Sequence, residues 1–161
     1  MLTTTRATSP DDIAAVKLLL RGLVQHFRDH GEDDLSDDEF DHEVGTPTAE
    51  FAPPHGRMLL ARLDGQPVGI LALRPMHYGT GVELRRMYVL PSARHRGVGR
   101  ALVLAMIDEA RAMGEPALKL VTVPAFEDAL ALYTSLGFRR VSAFRPSSAP
   151  DAVFMERELT E

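Results

Sequence analysis

The sequence predicts an α/β (α+β) fold in which helices flank a central mixed, mostly antiparallel sheet. Two observations carry that prediction. Apolar runs in residues 57–90 are separated only by turns, which is typical of an antiparallel meander. From residue 98 onward, amphipathic helical segments alternate with short strands, and this alternation places helices on the faces of the sheet.

The first fifty residues predict a strand followed by a long helix. Thr3 to Ala7 forms the strand, and Ser9-Pro10-Asp11-Asp12 supplies an N-cap with acids in the first turn. Apolar residues recur at three- and four-residue spacing through Phe27, so the helix has one apolar face that ends near His30-Gly31. Residues 32–43 hold eight acids and predict a short capped helix or an ordered loop.

The meander begins with a hairpin. Apolar runs at Met58–Ala61 and Val68–Leu73 flank Asp64-Gly65, which favours a tight hairpin turn. A second turn at His77–Gly81 leads into a third strand over Val82–Leu90.

The remaining elements alternate in type. Val98–Met113 and Phe126–Leu136 predict helices, each followed by glycine. Ala117–Val123 and Ala152–Leu159 predict strands.

Length and composition predict one globular domain over residues 1–161. The chain has no cysteine, which excludes disulfides, thiol catalysis and cysteine-ligated zinc. No stretch approaches the ~18 apolar residues of a membrane-spanning helix, and the N-terminus lacks the pattern of a secretory leader. We therefore expect a cytoplasmic protein without a membrane partner.

The net charge of −5 is unevenly distributed. Residues 1–50 carry twelve acids and four Lys or Arg, whereas residues 51–161 carry eleven acids and fourteen Lys or Arg. The basic part suits an anionic ligand. No long basic stripe is present, so nucleic acid is not an expected partner.

Residues 83–102 form the segment with the clearest chemistry, because a predicted strand feeds a glycine-containing loop that opens a helix. Gly97 and Gly99 allow close approach of the backbone and unusual dihedral angles. The first amides of a helix lack intrahelical acceptors and bind anions such as pyrophosphate. Four cationic or titratable side chains surround the loop, namely Arg94, His95, Arg96 and Arg100.

Pyrophosphate binding has two alternatives at this loop. The third glycine of the dinucleotide fingerprint is absent, and no GxxxxGK[ST] motif occurs, so a nucleotide-binding domain loses support. A plain connection with a solvated basic loop is the simplest structural alternative.

Two separated motifs resemble the GCN5-related N-acetyltransferase (GNAT) superfamily. Arg94-x-x-Gly97-x-Gly99 matches its [R/Q]-x-x-G-x-[G/A] loop, and Ala129 to Phe138 matches its Ala-x-x-Leu-Tyr-x-x-Leu-Gly-Phe helix end. A further similarity, to a bacterial subgroup of unassigned substrate, lies in Phe51–Gly56 and Phe154–Glu156. The resemblance implies the acyl-CoA N-acyltransferase fold and acetyl-CoA (coenzyme A) as co-substrate, without a metal.

The resemblance also assigns the cofactor-binding residues. The backbone of Met87, Tyr88 and Val89 would bind the pantetheine arm like an added strand. The amides of the following loop would hold the pyrophosphate, namely those of Arg94, His95, Arg96, Gly97, Val98, Gly99, Arg100 and Ala101. One departure concerns Phe126, which stands where many members carry an asparagine that contacts the cofactor.

Two residues are candidates for the chemistry of acetyl transfer. Tyr133 would protonate the leaving thiolate, as the matching tyrosine often does in the family, and its alternative role is that of a core aromatic. Glu83 would act as the base or bind the substrate ammonium. Its alternative role is that of a solvated carboxylate paired with Arg85, since alternation puts both on one face. A water chain could replace the base.

The predicted function is acetyl transfer to a primary amine of a small molecule or a protein, and the alternative is a non-catalytic acyl-CoA-binding module. A homodimer is possible. His26 and His30 stand four apart on the first helix, a spacing that can hold a metal, but no third ligand is evident, so we expect no metal site.

Overall fold

The computed structural model describes residues 1–29, 51–76, 81–147 and 149–159, within which the strands form one seven-stranded sheet. The strands are β1 Leu2–Arg6, β2 Arg57–Leu63, β3 Gln66–Pro75, β4 Val82–Val89, β5 Ala117–Thr122, β6 Arg139–Val141 and β7 Val153–Glu158. The α-helices of the described residues are α1 Pro10–Asp29, α2 Val98–Ala112 and α3 Glu127–Ser135. None of these helices is long and apolar enough to cross a membrane.

The strand order is β1-β2-β3-β4-β5-β7-β6, and only the pair β4 and β5 is parallel. This confirms the predicted mixed, mostly antiparallel sheet. The elements predicted inside the described residues are present, with bounds that differ by one or two residues. The helix end near His30, the acidic segment 32–43 and most of the turn at 77–80 lie outside the described residues.

Sequence analysis missed β6, which is three residues long and reads Arg139-Arg140-Val141. Two arginines in three residues give no apolar alternation, and both are exposed. The strand exists because its backbone pairs with β7, a tertiary contact that local sequence does not encode.

The start of α1 confirms the predicted cap. The Ser9 hydroxyl accepts a hydrogen bond from the Asp12 amide at 3.1 Å, and the Asp12 carboxylate accepts one from the Ser9 amide at 3.2 Å. This reciprocal pair is a capping box. The Arg62 guanidinium also donates to Asp12 at 2.6 Å, which fixes the beginning of α1 against β2.

The sheet carries one core on each face. The face covered by α2 and α3, called the α2 face below, buries residues such as Leu102, Met106 and Leu118. The opposite face, called the α1 face, packs against α1 and buries residues such as Leu20, Phe51 and Ile70. Because side chains alternate along a strand, β4 sends alternate residues to these two cores.

Strand β4 is bent by an extra residue. Ile70 of β3 pairs with Tyr88, but Ala72 pairs with Arg85, so β4 contains a bulge, and Arg86 within it has a φ of 58°. Such a bulge increases the local twist and turns a strand away from its neighbour.

The consequence is an opening between β4 and β5. These two strands pair only at Val82 with Leu118 and at Glu83 with Lys119, although β5 pairs with β7 along its whole length. We call the opening beyond Glu83 the β4/β5 gap. It separates residues 84–89 from residues 120–122.

Candidate active site

The edge of β4 exposes backbone groups to the β4/β5 gap. Leu90 donates its amide to Val68 at 2.8 Å, and Tyr88 lies opposite Ile70 in the same ladder. Alternate residues of a strand bond alternate neighbours. Met87 and Val89 therefore direct their backbone groups towards the gap. Of the three residues predicted to hold pantetheine, Tyr88 is turned towards β3 instead.

The loop that follows β4 ends in an anion-binding geometry. Gly97 caps α2 with a φ of 83°, and the first helical hydrogen bond joins the Ala101 amide to the Gly97 carbonyl at 3.0 Å. The amides of residues 98–100 consequently have no acceptor within the helix. A Cβ placed at Gly97 would meet nothing within 4 Å, so the space in front of the loop is open.

Gly99 has a different role from Gly97. It is helical, and a Cβ there would lie 3.0 Å from Met87 Cε and 3.1 Å from Leu132 Cδ2. Its lack of a side chain lets α2 approach β4 and α3 closely. The second glycine of the motif thus serves packing rather than direct approach to a ligand.

The side chains of the loop differ in how many contacts hold them in place. Arg94 donates from Nε to the Val89 carbonyl at 3.1 Å, and its guanidinium lies 5.9 Å from the centre of the Tyr88 ring. His95 and Arg96 are exposed, and His95 is 3.8 Å from the exposed carboxylate of Asp128. Arg94 therefore supports the strand end, while the other cations face solvent.

Tyr133 lies in the core of the α2 face, where its ring meets Phe138 edge to face at 5.7 Å. Met87 and Val89 pack against the same core. Burial raises the pKa of the Tyr133 phenol above its usual value, so the hydroxyl keeps its proton at neutral pH. That hydroxyl makes no hydrogen bond to the described residues, which leaves it available to a ligand.

Glu83 lies on the α1 face with 1% of its surface exposed, so the alternative of a solvated carboxylate is wrong. Arg145 donates to both of its oxygens, from Nε at 3.0 Å and from Nη2 at 2.8 Å. Arg85 is farther away, at 3.7 Å. The role of Glu83 as a base stays a prediction, and accepting a proton would require its pair with Arg145 to open.

Arg145 was missed by sequence analysis. It lies in the connection between β6 and β7, 62 residues from Glu83, and nothing in its neighbourhood marks it as functional. The available signal was weak: an arginine in a connection that leads back to the sheet. Only the fold brings it to the start of β4.

Phe126 occupies the position where the resemblance predicts asparagine. It stacks on His26 at 5.1 Å and lies 5.6 Å from Phe27, so it joins the end of α1 to the start of α3. His30, the predicted companion of His26, lies outside the described residues. Among the residues that are described, no three His, Asp or Glu side chains are grouped to hold a metal.

The two catalytic candidates lie on opposite faces of the sheet. Tyr133 belongs to the α2 face and Glu83 to the α1 face, and the backbone of Met87 and Val89 runs between them. A thioester in the gap could therefore have a proton donor on one side and a buried charged cluster on the other.

Comparisons with known proteins agree with this geometry. The model of the acetyltransferase (GNAT) family matches residues 17–138. An uncharacterised N-acetyltransferase of Schizosaccharomyces pombe is 30% identical over 153 residues, which covers 94% of this chain and 91% of that protein. An IAA acetyltransferase of Azospirillum brasilense is 38% identical over 127 residues, which covers 78% and 82% respectively.

A solved structure shows the same fold. YncA of Salmonella typhimurium, determined with its cofactor acetyl-CoA, superimposes with a TM-score of 0.75 and covers 100% of this chain and 95% of its own. Its sequence identity to this chain is 20%, so the likeness concerns the fold.

Proposed function

The chain belongs to the GNAT family of acetyl-CoA-dependent N-acetyltransferases, and on that premise we propose that it transfers an acetyl group from acetyl-CoA to a primary amine by direct attack on the thioester. The β4/β5 gap is the observation that carries this proposal. It exposes strand-edge backbone beside a helix N-terminus, and both are needed to hold a long anionic cofactor.

The described residues fit coenzyme A in two ways. The free amides of residues 98–100 and the open space at Gly97 suit a pyrophosphate. The outward backbone groups of Met87 and the amide of Val89 suit an amide-containing arm that adds to β4 as a strand. The exposed cations of the loop add a favourable field for phosphate.

Acetyl-CoA supplies an acetyl group activated as a thioester. The amine nitrogen forms a bond to the carbonyl carbon, the carbon–sulfur bond breaks, and the amine loses one proton. The Val89 amide would donate a hydrogen bond to the carbonyl oxygen as it gains negative charge. Tyr133 would give its proton to the departing sulfur and would then regain a proton from water.

The proton released by the amine needs an acceptor. Glu83 is near the gap, but Arg145 occupies both of its oxygens. We therefore favour water as the carrier of the amine proton, with Glu83 fixing the charged groups around it. Retention of the acidic limb of the pH–rate profile in Glu83→Gln would support water, and its loss would support Glu83 as the base.

The proposed function is tested by following release of free thiol from acetyl-CoA in the presence of single amines. Release that depends on an amine and yields the N-acetyl product is expected. Tight binding of coenzyme A without amine-dependent release from a broad panel would instead indicate a non-catalytic acyl-CoA-binding module.

A further inference from the structure

The α1 face beside the β4/β5 gap contains a buried cluster of charged side chains. Glu83 is its one carboxylate within the described residues, and Arg145 takes both oxygens of that carboxylate in a two-point pair. Arg85 shares the same carboxylate at 3.7 Å, which is beyond hydrogen-bond distance. One negative charge is thus divided between two guanidinium groups.

Arg85 belongs to this cluster and contacts Glu83 only at 3.7 Å. Its side chain is 13% exposed, and it donates no hydrogen bond to the described part of the chain. Burial, followed by the charges of Arg86 and Arg74, lowers the pKa of Arg85 to about 9, which marks a strongly positive surrounding. None of the Arg85 nitrogen atoms is both buried and unpartnered, so its guanidinium is accessible to an anionic ligand.

The position of Arg85 places such a ligand at the reaction centre. The last residue of β4 that pairs with β5 is Glu83, and Arg85 lies two residues beyond it. Met87, whose backbone faces the gap, follows two residues after Arg85. Only the bulge residue Arg86 separates Arg85 from Met87, so Arg85 belongs to the part of β4 that borders the gap. A carboxylate bound by Arg85 would therefore lie beside the gap, which suits a small acceptor whose amine is a few bonds from its carboxylate.

We propose that the acceptor of this enzyme is a small primary amine that carries a carboxylate, and that Arg85 binds this carboxylate while the amine faces the thioester. The inference rests on the proposed function. A planar guanidinium matches a planar carboxylate at two points, which a lysine could not do. Diamines and polyamines are disfavoured, because a second ammonium group would meet the excess positive charge of the cluster.

Matched pairs of acceptors test the proposal on the wild-type enzyme. Alanine against alaninamide tests a carboxylate next to the amine, glutamate against glutamine tests one on the side chain, and putrescine tests a second positive charge. We expect kcat/KM for the acid of at least one pair to exceed that of its amide by about tenfold or more, as a charge-assisted hydrogen bond provides. Putrescine should be the poorest acceptor.

Substitution of Arg85 then assigns the preference to this residue. In Arg85→Gln the ratio of kcat/KM between acid and amide should fall towards one, and Arg85→Lys should keep part of it because the charge remains. Arg139→Gln is the matched control, since Arg139 is an exposed arginine of β6 that pairs with Glu156 and Glu158. It should keep the wild-type ratio.

The outcomes separate the two proposals. Amine-dependent thiol release with no preference for acids would overturn the carboxylate-bearing acceptor and leave acetyl transfer intact. A preference for acids that persists in both Arg85 variants would overturn the assignment to Arg85. No release with any amine of a broad panel would overturn the proposed function and this inference together.

Discussion

The two sides of the β4/β5 gap are built differently. The side towards α2 offers backbone: free amides at the start of the helix, the outward edge of β4, and exposed side chains around them. The side towards α1 offers buried side chains, in which Glu83 is held by Arg145 and approached by Arg85. The first side suits a constant cofactor, and the second suits a particular acceptor.

This difference explains why more sequences can build the backbone side of the gap than the side-chain side. A backbone site needs only a strand end, a positive φ and a helix, so many sequences can build it. A side-chain site needs specific residues from separate parts of the chain, here β4 and the connection between β6 and β7. Substitutions on the two sides of the gap should therefore have different effects.

The largest effect is expected for Gly97→Val, which should weaken binding of coenzyme A by about 1000-fold, or roughly 4 kcal/mol. A β-branched residue is strained at a φ of 83° and fills the space in front of the helix amides. Titration calorimetry measures the loss. Gly114→Val at the other end of α2 is the control, because it has a φ of 79°, equally open space and no predicted ligand.

Similar unfolding free energies for the two glycine variants, with binding lost only in Gly97→Val, would assign the effect to the cofactor. Equal affinity for coenzyme A in both variants would contradict the backbone site.

Replacing Glu83, the carboxylate of the charged cluster on the α1 face, should mainly lower the stability of the fold. Glu83→Gln leaves Arg145 and Arg85 without their counter-ion, and breaking a buried pair in this way costs about 3 kcal/mol. Urea unfolding measures this loss of unfolding free energy. Arg139→Gln removes only exposed ion pairs and should cost less than about 1 kcal/mol. A loss of unfolding free energy in Glu83→Gln as small as that in Arg139→Gln would contradict the buried charged cluster on the α1 face.

Tyr133→Phe should lower kcat by about 100-fold with little change in the KM for acetyl-CoA. The phenol makes no hydrogen bond to the described residues, so its loss should hardly change the melting temperature. Because burial raises the Tyr133 pKa, this acid should remain protonated through pH 9. Steady-state kinetics with the best acceptor measure the effect, and an unchanged kcat would remove Tyr133 from the chemistry.

The smallest effect is expected for a loop side chain. Arg96 is exposed, so Arg96→Ala should weaken binding of coenzyme A only about threefold, consistent with less than ~1 kcal/mol for a surface charge. The loss should shrink further at high salt. A large, salt-independent loss of affinity would mean that side chains rather than backbone hold the pyrophosphate.

The local structure of the loop side could be predicted from the sequence, whereas the packing around Glu83 could not. The loop of Arg94, Gly97 and Gly99 is local, and its strand, turn and helix follow one another in the chain. The helices and most strands were predicted for the same reason, since periodicity and capping are local properties.

Four features escaped prediction because they depend on tertiary contacts. The pairing of Glu83 with Arg145 joins residues far apart in the chain, and the bulge at Arg86 changes which β4 groups face the gap. Phe126 was recognised as a departure from the family, but its stacking on His26 required the fold. Strand β6 has no local signal of its own.

Residue-resolved hydrogen exchange with and without coenzyme A tests the central claim most directly. The amides of Met87 and Val89 face the β4/β5 gap, whereas the Leu90 amide already donates to Val68. Binding should slow exchange at Met87 or Val89 by roughly tenfold or more, and also at residues 98–100, while Leu90 stays nearly constant. Unchanged exchange at all of these amides, with coenzyme A shown to be bound by calorimetry, would contradict the account.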